Sequence, residues 1–188
     1  MPETSVKLAV MKTLPRAFCL VVLVLCCSAV YAEAAASAAL IEIPNARQPI
    51  PGVLAGGQPT REQFADLAKA GYRTVVNLRS LAEEGAWDET EEIEALGMAF
   101  LHLPIQGSEA LTRENTATLA NVLNDPESYP VLIHCKSGNR VGALLALKAA
   151  WLDNATPDAA IQLGLEAGMT RLEPTARKLI AGDATSGQ

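Results

Sequence analysis

The residues best suited to do chemistry lie in one short stretch, His134 to Arg140, which reads His-Cys-Lys-Ser-Gly-Asn-Arg. The apolar run at 131–133 predicts a buried strand before it, and the apolar run at 141–151 predicts a helix after it. A loop between a strand and a helix N-terminus gathers backbone N–H groups that bind anions. A cysteine at such a position ionises readily. The pattern therefore predicts a thiolate nucleophile, Cys135, beside an anion pocket, which suits attack on phosphorus or sulfur.

The first 32 residues are typical of a secretory signal peptide rather than of a folded segment. A positively charged start precedes an apolar run at 17–29, and Val-Tyr-Ala at 30–32 fits a small-residue cleavage site. We therefore predict that 1–32 is a signal peptide, with Met11 as an alternative start. The protein would be periplasmic or secreted, without stable membrane insertion after cleavage. An uncleaved membrane anchor is the alternative interpretation.

Cleavage after residue 32 would leave 156 residues, enough for one domain with a sizeable core. Three of the four cysteines would leave with the signal peptide, so Cys135 would remain alone and no intramolecular disulfide could form. The formal net charge of −6 and the lack of a basic stripe argue against a nucleic-acid partner. A small anionic substrate or a phosphoprotein is the partner that this chemistry predicts.

Strand and helix signals alternate along the rest of the chain. We predict an N-terminal arm at 33–47 and a single domain at 48–188. Strands are predicted near Val53 and at 74–78, 99–103 and 131–135, and helices at 60–71, 83–96, 112–123, 141–151, 156–167 and 174–180. This order predicts an α/β fold with a mostly parallel sheet of four to five strands and helices on both faces. Ligands bind at the carboxyl ends of such strands, where Cys135 falls.

The 134–140 stretch resembles the signature loop of the cysteine-dependent protein phosphatases, in which a His-Cys pair, a glycine and an arginine surround a phosphate. Three other segments are similar to landmarks of bacterial phosphatase-like proteins: Gly-Gly-Gln-Pro-Thr at 56–60, Thr-Val-Val-Asn-Leu-Arg at 74–79 and Leu-His-Leu-Pro at 101–104. The resemblance is closest to the beta-lactamase-hydrolase-like phosphatase-like domain, a group linked to phosphatase and sulfurtransferase chemistry. It covers about residues 45 to 170 and implies a fold like that of the tyrosine and dual-specificity phosphatases.

The resemblance assigns roles to the loop residues without a metal or cofactor. Cys135 would be the nucleophile, and Arg140 would hold two substrate oxygens in a geometry that lysine cannot reproduce. His134 would support the loop from behind. Four residues would bind the substrate through their backbone N–H groups: Lys136, Ser137, Gly138 and Asn139.

Three departures from the phosphatase pattern keep the function open. Four residues separate Cys135 from Arg140 where phosphatases have five, as in the shorter loops of rhodanese-like sulfurtransferases. Val141 stands where phosphatases carry a serine or threonine that assists turnover of the phosphocysteine. In the loop at 104–111, which should supply an aspartic general acid, Glu109 is the only carboxylic acid.

The leading hypothesis is an exported phosphatase-like hydrolase that acts on phosphate monoesters through a phosphocysteine. A sulfurtransferase that forms a persulfide on Cys135 is the alternative, and a non-enzymatic oxyanion-binding or redox-sensing module is the third. Other charged groups are interpreted as structural. Arg79 is expected to be exposed or paired with a helix, and an approach to the rim of the pocket from the end of its strand is the alternative. His102 is expected to be a satisfied sheet histidine, and the acidic run at 83–94 to be a solvated helix face.

Overall fold

The computed structural model describes residues 42–186, so the predicted signal peptide and most of the predicted arm lie outside the described range. No helix within that range is both long and apolar enough to cross a membrane. The described chain alternates strands and helices in this order: β1 Arg47–Ile50, β2 Val53–Gly56, α1 Arg61–Lys69, β3 Thr74–Asn77, α2 Thr90–Ala95, β4 Ala99–His102, α3 Arg113–Leu123, β5 Val131–His134, α4 Asn139–Trp151, α5 Pro157–Glu166 and α6 Glu173–Ser186.

The five strands form one sheet in the order β1-β2-β5-β3-β4. Only β1 is antiparallel to its neighbour, and the other pairs are parallel. The carboxyl ends are in register, because His134 pairs with both Gly56 and Asn77, and Asn77 also pairs with His102. The predicted α/β class is confirmed, and the register places the start of the signature loop between two other strand ends.

Helices cover both faces of the sheet because side chains along each strand alternate between the faces. In β5, Leu132 packs with the core beneath α1 and α2, which includes Phe64 and Ile93. Ile133 points the other way, into the core formed with α3 to α6. Every residue from 141 to 149 in α4 is buried, so this helix lies at the centre of the second core.

Two glycines let α4 and α5 approach each other closely. A Cβ at Gly142 would collide with the Gly164 backbone, and a Cβ at Gly164 would lie 2.8 Å from the Gly142 carbonyl oxygen. Because the backbones of α4 and α5 are in contact at these two glycines, the turn that follows α5 lies beside the beginning of α4. That turn leads to Arg171, which borders the site described below.

The structure corrects several predicted boundaries. The helix predicted at 83–96 forms only at 90–95, because residues 80–88 run as a loop held by polar contacts of Arg79 and Glu83. The edge strand β1 was not predicted, since its Arg-Gln-Pro-Ile sequence lacks an apolar alternation. The arm predicted to reach residue 47 already packs on the domain at Ile43, which is buried. The last helix extends from 173 to 186 rather than from 174 to 180.

Candidate active site

Cys135 lies on the floor of a loop that closes around its sulfur. The backbone N–H of Gly138 donates to Cys135 Sγ at 3.1 Å, and the Cys135 side chain is almost fully buried. Gly138 has a φ of +88° and immediately precedes α4, a left-handed conformation that glycine adopts without strain. The loop residues Lys136, Ser137 and Asn139 line a cleft of about 800 Å³, whereas Cys135 itself is not one of its lining residues. The sulfur is therefore held by a main-chain donor beneath the residues that face the cleft.

Arg140 is fixed at the same cleft by several acceptors. Both of its terminal nitrogens bind the Glu83 carboxylate, with Nη2 at 2.9 Å from Oε2, and Nη1 also donates to the Leu78 and Ile105 carbonyl oxygens at 3.2 Å each. Burial alone would lower the pKa of Arg140, but hydrogen bonds to Glu83 and the charge of the nearby Cys135 raise it. The guanidinium is thus held charged beside the sulfur.

Glu83 is the partner that the sequence did not reveal. Its hydrogen bonds with Arg140 outweigh burial and, with the Ser80 N–H and Arg79, lower its pKa to about 2. The Ser80 N–H donates to Oε1 at 3.0 Å, and Arg79 Nε donates to Oε2 at 3.3 Å. A carboxylate that stays ionised at neutral pH orients Arg140 and does not supply a proton.

A buried polar network continues behind the loop, formed by Gln58, Arg79, Glu89 and His134. Arg79 Nη1 donates to Gln58 Oε1 at 2.8 Å, and Gln58 Nε2 donates to Glu89 Oε1 at 2.8 Å. Glu89 Oε2 lies 3.1 Å from His134 Nε2, and neither side chain is exposed. Together with Glu83, the buried polar network joins Arg140 to the residue that precedes Cys135.

Two interpretations of charged residues are wrong. Arg79 was expected to be exposed or paired with a helix, but its side chain is only 3% exposed and binds Glu83, Gln58 and the carbonyl oxygens of Glu84 and Gly85. The acidic run is not uniformly solvated, because Glu83 and Glu89 turn inward. Arg79 and Glu83 are four residues apart but lie in a loop and not on a helix, so their spacing alone did not identify the pairing.

Glu109 is not among the residues that line the cleft, but its carboxylate lies beside Gly107, which is one of them. Glu109 is exposed in a short 3₁₀ turn at Ser108–Ala110, and the residues that line the cleft include Gln106 and Gly107 from this loop but not Glu109. Glu83 is the only carboxylic acid among the lining residues. Val141 is fully buried, so no hydroxyl follows Arg140. His102 Nε2 bonds the Arg79 carbonyl oxygen at 2.7 Å, as expected of a sheet histidine.

In the part of the chain that the structure describes, no three His, Cys, Asp or Glu side chains are arranged to hold a metal ion. The polar groups that the site offers to a ligand are the loop backbone, Arg140 and the side chains that face the cleft. Such a set can bind an oxyanion in front of a thiolate, which is the arrangement needed for nucleophilic attack on phosphorus or sulfur.

Comparisons with known proteins agree with this geometry. A family model described as "DSP-PTPase phosphatase fused to NAD+ Kinase" matches residues 43–181. A beta-lactamase hydrolase-like protein of Xylella fastidiosa is 34% identical over 95 residues, which are 48% of this chain and 22% of that protein. The chain therefore spans about a fifth of the length of that relative.

Two crystal structures share the fold. A DUF442 protein from Shewanella putrefaciens CN-32 has a TM-score of 0.61 at 21% identity, covering 77% of this chain and 91% of that one. P. aeruginosa TpbA has a TM-score of 0.58 at 20% identity, covering 74% and 84% respectively. The resemblance to cysteine-dependent phosphatases and to the beta-lactamase-hydrolase-like group is thus confirmed. This chain belongs to the family described as DSP-PTPase phosphatase fused to NAD+ kinase, a family of protein-tyrosine-phosphatase-like hydrolases.

Proposed function

We propose that this protein hydrolyses phosphate monoesters through a covalent phosphocysteine. The observation that carries the proposal is the arrangement of Cys135, Gly138 and Arg140. The sulfur accepts a main-chain N–H at 3.1 Å, and the Arg140 guanidinium, held by Glu83, lines the cleft together with the loop residues that follow Cys135. Preorganised donors of this kind stabilise the charge that develops on a transferring phosphoryl group.

In the first step the Cys135 thiolate attacks phosphorus, so an S–P bond forms and the P–O bond to the leaving group breaks. The leaving oxygen takes the electron pair of that bond. Loop amides and the Arg140 N–H groups not used by Glu83 hold the three equatorial oxygens. Water then attacks the phosphocysteine, its protons leave with inorganic phosphate, and the S–P bond breaks to restore the thiolate.

The cleft supplies no free carboxylic acid for protonating the leaving group. Glu83 is engaged by Arg140 with a pKa of about 2, and Glu109 does not line the cleft. General acid catalysis contributes about 10²- to 10⁴-fold to such reactions. We therefore expect the enzyme to favour substrates whose leaving groups depart without a proton, such as p-nitrophenyl phosphate over phenyl phosphate.

The test is hydrolysis of p-nitrophenyl phosphate by the wild type, Cys135→Ser and Arg140→Lys. We expect kcat/KM to fall by on the order of 10³-fold or more in Cys135→Ser, because the nucleophile is lost. Arg140→Lys should also lose activity, since lysine keeps the charge but not the planar fork. Equal activity in wild type and Cys135→Ser would remove the proposal.

A sulfurtransferase is the second candidate, and two observations favour it. Only four residues separate Cys135 from Arg140, and the buried Val141 leaves no hydroxyl to assist turnover of a phosphocysteine. In this reaction the thiolate attacks the outer sulfur of thiosulfate, the S–S bond breaks, and sulfite departs with the electron pair. Cyanide or another thiol then removes the sulfur and restores the thiolate.

Mass spectrometry separates the two candidates. After exposure to thiosulfate, a sulfurtransferase would carry one additional sulfur on Cys135, and this mass would disappear on addition of cyanide. A phosphatase would show no such gain. A protein that binds phosphate but performs neither reaction would be an oxyanion-binding or redox-sensing module.

We also propose that the protein is exported and acts in the periplasm or outside the cell. The support is the sequence of residues 1–32, which lie outside the described range. N-terminal sequencing of protein recovered from the periplasm or medium should begin at Glu33. Uncleaved protein confined to the cytoplasm would contradict this proposal and leave the chemistry of Cys135 unaffected.

A further inference from the structure

Two cations line the cleft in addition to Arg140. Lys136 follows the nucleophile, and Arg171 lies in the turn between α5 and α6. Both side chains are exposed, and within the described residues neither is recorded in an ion pair or a side-chain hydrogen bond. In the proposed reaction the Arg140 N–H groups that Glu83 leaves free hold the transferred phosphoryl group, so Lys136 and Arg171 are the cations of this cleft that remain available to a further anion.

The position of Arg171 is fixed by the signature loop itself. Asn139 Oδ1 accepts the backbone N–H of Thr170 at 2.8 Å and that of Leu172 at 3.2 Å, and the Thr170 hydroxyl lies at 3.1 Å. The residues on both sides of Arg171 are therefore tied to one side chain of the loop. These contacts hold the backbone on either side of Arg171 at the rim of the cleft, while its exposed side chain stays free to meet a ligand.

A substrate with a single phosphate would leave these two cations unused. The cleft of about 800 Å³ is far larger than one phosphate group and lies in the range of small-molecule sites. Its one carboxylic acid, Glu83, is held by Arg140 and cannot protonate a leaving group. A second phosphate joined to the first would bind the two unused cations. It would also be a leaving group that departs without a proton, so no general acid would be needed.

We propose that Lys136 and Arg171 form a second anion subsite and that the substrate is a small molecule carrying a diphosphate group. This inference rests on the proposed phosphatase function. The Cys135 thiolate attacks the terminal phosphorus, an S–P bond forms, and the P–O bond of the anhydride bridge breaks. The remaining phosphate takes the electron pair and leaves as an anion beside Lys136 and Arg171. Water then releases the transferred phosphate and restores the thiolate.

The experiment compares the binding of inorganic phosphate and inorganic pyrophosphate to the Cys135→Ser protein by calorimetry at constant ionic strength. Constant ionic strength matters because screening weakens contacts between exposed charges. We expect pyrophosphate to bind about tenfold or more tightly than phosphate, since tenfold corresponds to one modest charged contact. Adding Arg171→Gln and Lys136→Gln should bring the two affinities to within about twofold.

Lys178→Gln is the matched control, because Lys178 is exposed on α6 and does not line the cleft. Its pyrophosphate preference should equal that of the parent. A parent that binds both anions equally, or a preference that survives the double charge removal, overturns the second subsite while leaving the phosphatase proposal intact. Failure to bind either anion overturns both proposals.

Discussion

The two sides of the signature loop differ in how their polar groups are used. Behind the loop, the buried polar network of Gln58, Arg79, Glu89 and His134 is joined by hydrogen bonds between 2.8 and 3.1 Å long. In front of the loop, Lys136 and Arg171 reach into the cleft without a protein partner among the described residues. The polar side chains behind the loop therefore bind other groups of the protein, and the cations in front of the loop are available to a ligand.

This difference teaches how a small domain separates stability from binding. A buried polar group without a partner is costly, and the back is satisfied within the fold except at His134 Nδ1, which has no hydrogen-bond partner among the described residues. An exposed cation keeps its water until a ligand arrives, so the front can remain unpaired at little cost. Glu83 stands between the two sides, because it binds Arg140 toward the cleft and Arg79 toward the interior.

The largest expected effect comes from removing the Glu89 carboxylate from the buried polar network behind the signature loop. Glu89→Ala leaves His134 and Gln58 without their shared acceptor inside the protein, so we expect a loss of about 3 kcal/mol in the free energy of unfolding. Urea denaturation measures it through the transition midpoint and slope. Glu94→Ala, on the exposed face of α2, should stay within about 0.5 kcal/mol of wild type. If Glu89→Ala were as stable as this control, the bonds from Glu89 to His134 and Gln58 would not stabilise the fold.

Substitution of Glu83, which binds both Arg140 and Arg79, should have a smaller effect on stability and a clear effect on activity. Glu83→Gln removes the charge that holds Arg140, and we expect kcat/KM for p-nitrophenyl phosphate to fall about 10- to 100-fold, the equivalent of a charged hydrogen bond. Glu84→Gln is the matched control, because the Glu84 side chain is exposed next to Glu83 in the same loop. If the two variants were equally active, Arg140 would not depend on Glu83.

The same pair predicts a pH dependence of stability. The pKa of Glu83 is lowered from its ordinary value of 4.5 to about 2, so the folded state favours the ionised form. Its contribution to stability is present above pH 4.5 and is lost as the pH falls through about 2. The urea midpoints of wild type and Glu83→Gln should therefore converge between those values. A difference that stays constant down to pH 2 would contradict the lowered pKa.

The smallest effect is expected at Glu109, the one carboxylic acid that the sequence offers in the loop expected to supply a general acid. Because its side chain does not line the cleft, Glu109→Gln should change kcat/KM by no more than about twofold. A full pH profile for phenyl phosphate, which needs a proton on its leaving group, is the most sensitive measurement. A loss of about 10²-fold together with the alkaline limb of the profile would identify Glu109 as the general acid.

Much of the fold could be predicted because local signals and the tertiary structure agree. The helices predicted at 60–71 and 156–167 form as α1 and α5, capped by Thr60 and Thr156, and the apolar runs form β5 and α4. The loop at 80–88 could not be predicted, since its conformation depends on where Arg79 and Glu83 meet in space. Strand β1 was missed because an edge strand needs little apolar character.

The candidate site divides in the same way. Cys135, Gly138 and Arg140 are recognisable because their spacing follows the backbone of one loop. Glu83 and Glu89 come from distant positions and are hidden within an acidic run that suggests solvent exposure. Their roles become visible only when the parallel register brings the ends of β2, β3 and β5 together.

The central claim is that Cys135 attacks phosphorus within this loop. The most direct measurement is an acid quench of the enzyme during turnover of p-nitrophenyl phosphate, followed by mass spectrometric mapping of the bound phosphate. We expect phosphate on Cys135 in the wild type and none in Cys135→Ser. Hydrolysis that continues in the wild type without a phosphocysteine, at a rate matched by Cys135→Ser, would contradict the account.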